Sequence, residues 1–287
     1  MAAADPRGAD AHPPPVSDVE HRIQAAICAD ATRSREVERI GPFVATFTPG
    51  SRNPYLNYAI PEAGGEPTDG DVGALVEAFA RRGHTPRLEY VPGLAPAVEP
   101  ALLQAGFVVE GRLALMVCER RPDSVVPEGI EVRVAVTRDD VRAAATAQNE
   151  AYGEPDPPSE SWVDGSLRSI AAGGVLVVAT EAATGEPAGG GACTPPHEGA
   201  TELTSIGVRP SYRRRGIAGA MVALLAQTML DRGVDLVFLM AAGEAEARIY
   251  ARIGFTRIGE VLHISVPVSA TANIAPAPFS HGSANVS

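Results

Sequence analysis

The 287-residue chain contains no lysine; its 24 basic residues are all arginine. That absence excludes chemistry built on a lysine amine, such as a pyridoxal phosphate or aldolase-type Schiff base, and a phosphate loop of the Walker kind. Cysteine is scarce too. Cys28, Cys118 and Cys193 are far apart, odd in number and without a C-x-x-C pair, so neither a disulfide framework nor a metal site is expected and a reducing cytoplasm fits. No apolar run reaches the roughly 18 residues of a membrane span. The first residues carry Asp5 and Asp10 in place of the apolar core of a signal peptide, so no membrane association is expected. Positive charge is also in deficit. With 35 acidic residues the formal net charge is −11, which argues against a sequence-independent grip on nucleic acid or on an anionic membrane. Any phosphate must be held by a local cluster of arginines.

What is present is ordinary for a soluble globular protein: 45% hydrophobic residues and a mean hydropathy of +0.01. The length favours two domains. Residues 1–18, with Pro13, Pro14 and Pro15 in a row, read as a disordered leader, and residues 269–287 as a disordered tail. A first domain is expected over 19–122, a linker over 123–129 where charges and prolines interrupt the apolar pattern, and a second domain over 130–268. Residues 148 positions apart match repeatedly: Gly106-Phe107 with Gly254-Phe255, Gly111 with Gly259, Leu88 with Leu236, and Tyr90-Val91 with Phe238-Leu239. The two halves therefore look like copies of one unit, each reading helix, short strand, helix, Gly-Phe turn, final strand.

The second half has the clearer pattern. Strands are expected at Ile130 to Val136, Gly174 to Glu181, Pro187 to Cys193, Thr201 to Val208, Val234 to Met240 and Glu260 to Val268. Helices are expected at Arg138 to Tyr152, Glu160 to Ala172, Gly216 to Arg232 and Glu244 to Ile253. This order makes a mixed α/β sheet with helices on both faces.

One stretch carries chemistry. In Val208 to Ala220, V-R-P-S-Y-R-R-R-G-I-A-G-A, a strand ends, a proline breaks it, and a helix begins after three arginines. A phosphate held there would meet free N–H groups and the positive end of the helix dipole. Gly216 and Gly219, with Ala218 between, allow the backbone close to a pyrophosphate. The G-x-G-x-x-G order of a dinucleotide fingerprint is missing.

Thr201 to Glu260 resembles the acetyl-CoA-binding core of the GCN5-related N-acetyltransferase (GNAT) superfamily, whose Q/R-x-x-G-x-G/A pattern is matched by Arg213, Gly216 and Ala218. A tyrosine four residues before a Gly-Phe pair also recurs in that family, and here Tyr250 precedes Gly254-Phe255. The resemblance is close over about 60 residues. It implies two tandem GNAT-like domains, each a twisted mixed sheet, and acetyl-CoA as the acyl donor. It further implies that the backbone of Ile206, Gly207 and Val208 pairs with the pantetheine arm, and that N–H groups of Arg213, Arg214, Arg215, Gly216, Ile217, Ala218 and Gly219 hold the pyrophosphate. One departure is Gly243, where many members carry an asparagine that contacts the cofactor. The first half resembles the same fold with the chemistry removed. Its cradle position, Gly65 to Gly70, holds acids and no arginine, and Tyr250 corresponds to Leu102.

The implied reaction is direct attack of a primary amine on the thioester in a ternary complex. A strand N–H near Ile206 would stabilise the oxyanion and Tyr250 would protonate the leaving thiolate, unless its ring serves only packing. Glu202, on the strand that ends at the cradle, is a candidate base or water holder, or else a solvated strand residue. By strand alternation Glu202, Thr204 and Ile206 share a face. Glu150, Asp164 and His263 are lesser candidates. Trp162 and Tyr152 either wall the acceptor or anchor the loop between their helices. Cys193 reads as a small hydrophobe. The acceptor is a small-molecule or peptide amine, and the acidic balance points to a cationic one; a homodimer stays open. Two alternatives remain, a non-catalytic acyl-CoA sensor or scaffold and an enzyme resembling mycothiol synthase.

Overall fold

The computed structural model describes residues 18–118, 120–154 and 156–267. The expected tail, and the expected leader except for Asp18, lie outside the described residues. The first half runs α1 (Asp18–Arg33), β1 (Glu36–Ile40), β2 (Phe43–Phe47), β3 (Tyr58–Pro61), α2 (Asp69–Arg81), β4 (Arg87–Tyr90), α3 (Val98–Gln104) and β5 (Val108–Cys118). The second runs β6 (Ile130–Val134), α4 (Arg138–Tyr152), α5 (Glu160–Ala171), β7 (Val175–Glu181), β8 (Pro187–Cys193), β9 (Ala200–Val208), α6 (Ile217–Asp231), β10 (Leu236–Ala241), α7 (Glu244–Ile253) and β11 (Thr256–Ser265).

Local chemistry explains these limits. Thr137 and Asp140 form a reciprocal capping box that starts α4, and Gly153, in the left-handed region, ends it. Ser159 caps α5. The β-branched run of β7 is almost wholly buried because helices cover both of its faces. β11 begins at Thr256, earlier than the Glu260 expected from hydropathy. Its partner β5 is eleven residues long and offers ladder positions from Val117 to Val108, so exposed Thr256 and Arg257 are drawn into the strand by backbone pairing.

Among the described residues the eleven strands form one mixed sheet in the order β1-β2-β3-β4-β11-β5-β10-β9-β8-β7-β6. Alternation along β5 and β11 puts α2, α3, α6 and α7 on one face and α1, α4 and α5 on the other. The last strands of the two halves are exchanged. β5 of the first half pairs with β10 of the second, while β11 of the second pairs with β4 of the first, and β5 and β11 are joined antiparallel at the centre.

Candidate functional site: a parting of two strands beside an uncapped helix

β9 and β10 are parallel neighbours for only three rungs, ending at Glu202 opposite Phe238. Beyond that point they part. The cause lies on the other edge of β9. Its register against β8 shifts between Gly190–Gly207 and Ala192–Thr204, so that Ser205 and Ile206 together oppose the single residue Gly191. Ser205 sits at φ 57°, a left-handed conformation rare for a non-glycine residue and typical of a bulge held for a purpose.

α4 holds the bulge in place. Gly190 and Gly207 give the helix room: a Cβ at Gly190 would lie 2.8 Å from the Ala144 carbonyl oxygen, and one at Gly207 3.1 Å from the Gln148 Cα. At that range the Gln148 Nε2 donates to the Ser205 carbonyl at 2.7 Å. The bulge also corrects the expected alternation. Ile206 joins Leu203 and Val208 in the core under α6, whereas Glu202 faces the α1 side, where Asp30 and Arg35 are its charged neighbours. Desolvation, with Asp30 adding to it and Arg35 opposing it, pushes the Glu202 carboxyl up to about 8.

The chain leaves β9 through Arg209 and a single 3-10 turn at Pro210–Tyr212, then reaches α6 through Arg213 to Gly216. Arg209 is bound to Glu150 and Glu186, both at 2.6 Å. Arg213 is turned onto main-chain carbonyls, Val208 at 3.2 Å and Ala151 at 2.9 Å, and so ties the end of α4 to the loop. Arg214 and Arg215 are exposed. Arg214 at φ 62° and Gly216 at φ 82° are both left-handed, and α6 starts at Ile217 with no side-chain cap. No side chain caps its first N–H groups, and the exposed Arg214 and Arg215 stand just before them, an end that favours an anion in an otherwise acidic chain.

The same place in the first half is closed. Thr68 caps α2 in a reciprocal box with Asp71, whose carboxylate accepts from the Thr68 N–H at 2.9 Å, and Asp69 lies in the first turn. An anion arriving there would find the donors taken and acids in front of it.

Tyr250 lies on α7, 1% exposed, its ring 6.1 Å from that of Phe255. One turn earlier on that helix is Glu246, which the sequence reading missed. Its carboxylate accepts from the Ala242 N–H at 2.9 Å, and burial pushes it up to about 7. Tyr152, at the end of α4, is its neighbour. Its buried hydroxyl has no hydrogen-bond partner, and burial and the Glu246 charge raise its pKa. A glutamate four residues before Tyr250 was the available sequence signal. Gly243, where the resemblance implies an asparagine, is the extended N-cap of α7.

The lesser candidates lie elsewhere or are engaged. Glu150 holds Arg209, and Asp164 holds Arg138 at 2.7 Å. His263 is on β11, with β5 and β10 between it and β9, and its Nδ1 is 2.9 Å from the buried Arg87. Trp162 is exposed near the start of α5. Cys193 is buried in the core, where burial first, then the Glu202 charge, raises its thiol pKa. Among the described residues no helix is long and apolar enough to cross a membrane.

Strand parting, bulge and uncapped helix lie together where β9 runs out on a mixed α/β fold. Residues 141–255, which include all three, match the family model described as "Acetyltransferase (GNAT) family". Among solved structures, the fold is similar to a GCN5-related N-acetyltransferase from Kribbella flavida, with a TM-score of 0.72 and 23% identity over 89% of this chain and 98% of that one. A second, from Sphaerobacter thermophilus, has a TM-score of 0.59 and 20% identity over 88% and 92%. A tandem GNAT protein from the clavulanic acid biosynthesis pathway has a TM-score of 0.56 and 14% identity over 79% of each chain. No curated protein matches the chain.

Proposed function

We propose that the chain is an acetyl-CoA-dependent N-acetyltransferase with one working site, in the second half, and a degenerate first half that walls it. The observation that carries this reading is the contrast between α6, which starts uncapped behind Arg213–Arg215, and α2, which is closed by Thr68 and Asp71. Acetyl-CoA would lay its pyrophosphate on the N–H groups from Arg214 to Gly219, the expected Arg213 N–H being turned to the Pro210 carbonyl, and its arm along Ile206 to Val208, in the gap between β9 and β10. A primary amine attacks the thioester carbon, the C–N bond forms, and the N–H at Ile206 receives the oxyanion. The C–S bond then breaks, and Tyr250 supplies the thiolate's proton. The amine's proton goes to a carboxylate, for which Glu202, directly or through water, and Glu246 are the two groups of suitable basicity. The acceptor is a small-molecule or peptide amine, and its positive charge suits the acidic chain. Three free cysteines, two of them buried, fit a cytoplasmic setting.

Calorimetric titration of acetyl-CoA tests this. One site per chain is expected, with binding weakened at least tenfold by Gly219→Glu. That change stabilises the start of α6 as a helix yet puts a carboxylate where the phosphate belongs. Gly216→Glu, at a left-handed position, should do the same with some loss of stability. No binding, or two sites, would sink the reading.

A further inference from the structure

Two helices on the same face of the sheet each send a glutamine to a place where parallel strands part. In the first half β3 and β4 share the single rung Ala59–Leu88. Just past it, Gln24 of α1, 6% exposed, spans the gap. Its Nε2 donates to the Pro61 carbonyl at 3.1 Å and its Oε1 accepts from the Val91 N–H at 3.0 Å. Both ends of the carboxamide are satisfied, and the opening is stitched shut.

In the second half Gln148 of α4, 3% exposed, makes only half of that arrangement. Its Nε2 is bound to the Ser205 carbonyl, while its Oε1 is buried with no partner. The Tyr152 hydroxyl, one helical turn away, is in the same condition. Buried acceptors are rarely left so, because desolvation without a hydrogen bond costs free energy. No strand N–H reaches the Gln148 oxygen, since β9 and β10 have separated beyond Glu202–Phe238.

We infer that the Gln148 Oε1 accepts a hydrogen bond from an amide N–H of an acyl thioester's pantetheine arm, lying in the gap that Gln24 closes in the other half. The inference rests on the acyl-CoA reading above and adds to it a positioning residue on α4. It also gives a reason for one site per chain: the first-half gap has its carboxamide already spent on the protein.

The test is a binding cycle between protein and ligand. Acetyl-CoA is compared with two analogues in which one or the other amide nitrogen of the arm is replaced by methylene, which removes the N–H and keeps the carbonyl. Wild type should bind one analogue about tenfold more weakly than acetyl-CoA. Gln148→Met should erase that difference and bind acetyl-CoA about as weakly as wild type binds that analogue. Gln148→Glu loses the donor to Ser205 but keeps an acceptor, so it should still discriminate. Adenosine 3′-phosphate 5′-diphosphate, which lacks the arm, should bind wild type and Gln148→Met alike, and melting temperatures check the fold. Equal binding of acetyl-CoA and both methylene analogues by wild type, or discrimination undiminished in Gln148→Met, overturns the role of Gln148 and leaves the acyl-CoA reading standing. No binding of acetyl-CoA to wild type overturns both.

Discussion

Glu202 and Glu246 are carboxyls whose burial holds them protonated well above the ordinary value of 4.5, to about 8 and about 7. Between 4.5 and those values the native state binds protons that the unfolded chain has released. Stability from these groups is therefore complete at low pH and lost as pH rises through 7 and 8. Glu202→Gln removes the larger share of this. In urea unfolding it should match wild type near pH 5 and be more stable at pH 9, by roughly 1–3 kcal/mol after allowance for the partial exposure of the side chain. Parallel pH profiles for the two proteins would show that the carboxyl is solvated and has no unusual affinity for protons. At this scale the sequence was informative about residue type and poor about direction. Glu202 stands on a strand as expected, but a one-residue bulge at Ser205 turns Ile206 to the opposite face, and hydropathy alternation carries no sign of such a bulge. Gln24 and Gln148 carry no signal at all, because a polar residue in an amphipathic helix reads as solvent-facing until the strands behind it are known.

At the scale of elements, the position of α4 depends on residues that have no side chain. The run Gly189-Gly190-Gly191 in β8 is a poor strand sequence by propensity, and its purpose is visible only in the packing. At Gly190 a Cβ would stand 2.8 Å from the Ala144 carbonyl oxygen and 3.0 Å from its Cβ, on the backbone of a helix that cannot give locally. Gly190→Ala should therefore push α4 outward and cost about 1–3 kcal/mol in urea unfolding. Because Gln148 leaves Ser205 with the helix, it should also weaken acetyl-CoA binding. Unchanged stability and binding would mean that α4 is not seated on β8. The limits of α4, β8 and α7 follow from caps, turn residues and periodicity, all local. The early start of β11 does not, since Thr256 and Arg257 belong to the strand only through their ladder with β5.

For the whole molecule the exchange of final strands outweighs any local feature. β10 keeps only three rungs with β9, so its main support is β5, with five paired positions from the other half of the chain. β4 likewise rests on β11, with four paired positions, and on the single rung to β3. Such an exchange is invisible in the sequence, where the two repeats read as self-sufficient units and nothing in either final strand names its partner. It follows that neither half carries a complete sheet of its own. A fragment covering 123–267 lacks β5 and exposes the edge of β10 with Val237, Leu239 and Ala241 beneath it, the kind of apolar edge that aggregates. This fragment should be insoluble or unfolded when expressed alone, and soluble when 18–122 is supplied with it as a separate chain. In the intact protein, urea unfolding followed by far-UV circular dichroism and by the fluorescence of the lone tryptophan, Trp162 in the second half, should give coincident single transitions. Two separated transitions, or a 123–267 fragment that folds and binds acetyl-CoA unaided, would show that the halves are energetically independent and that the exchanged strands are not what joins them.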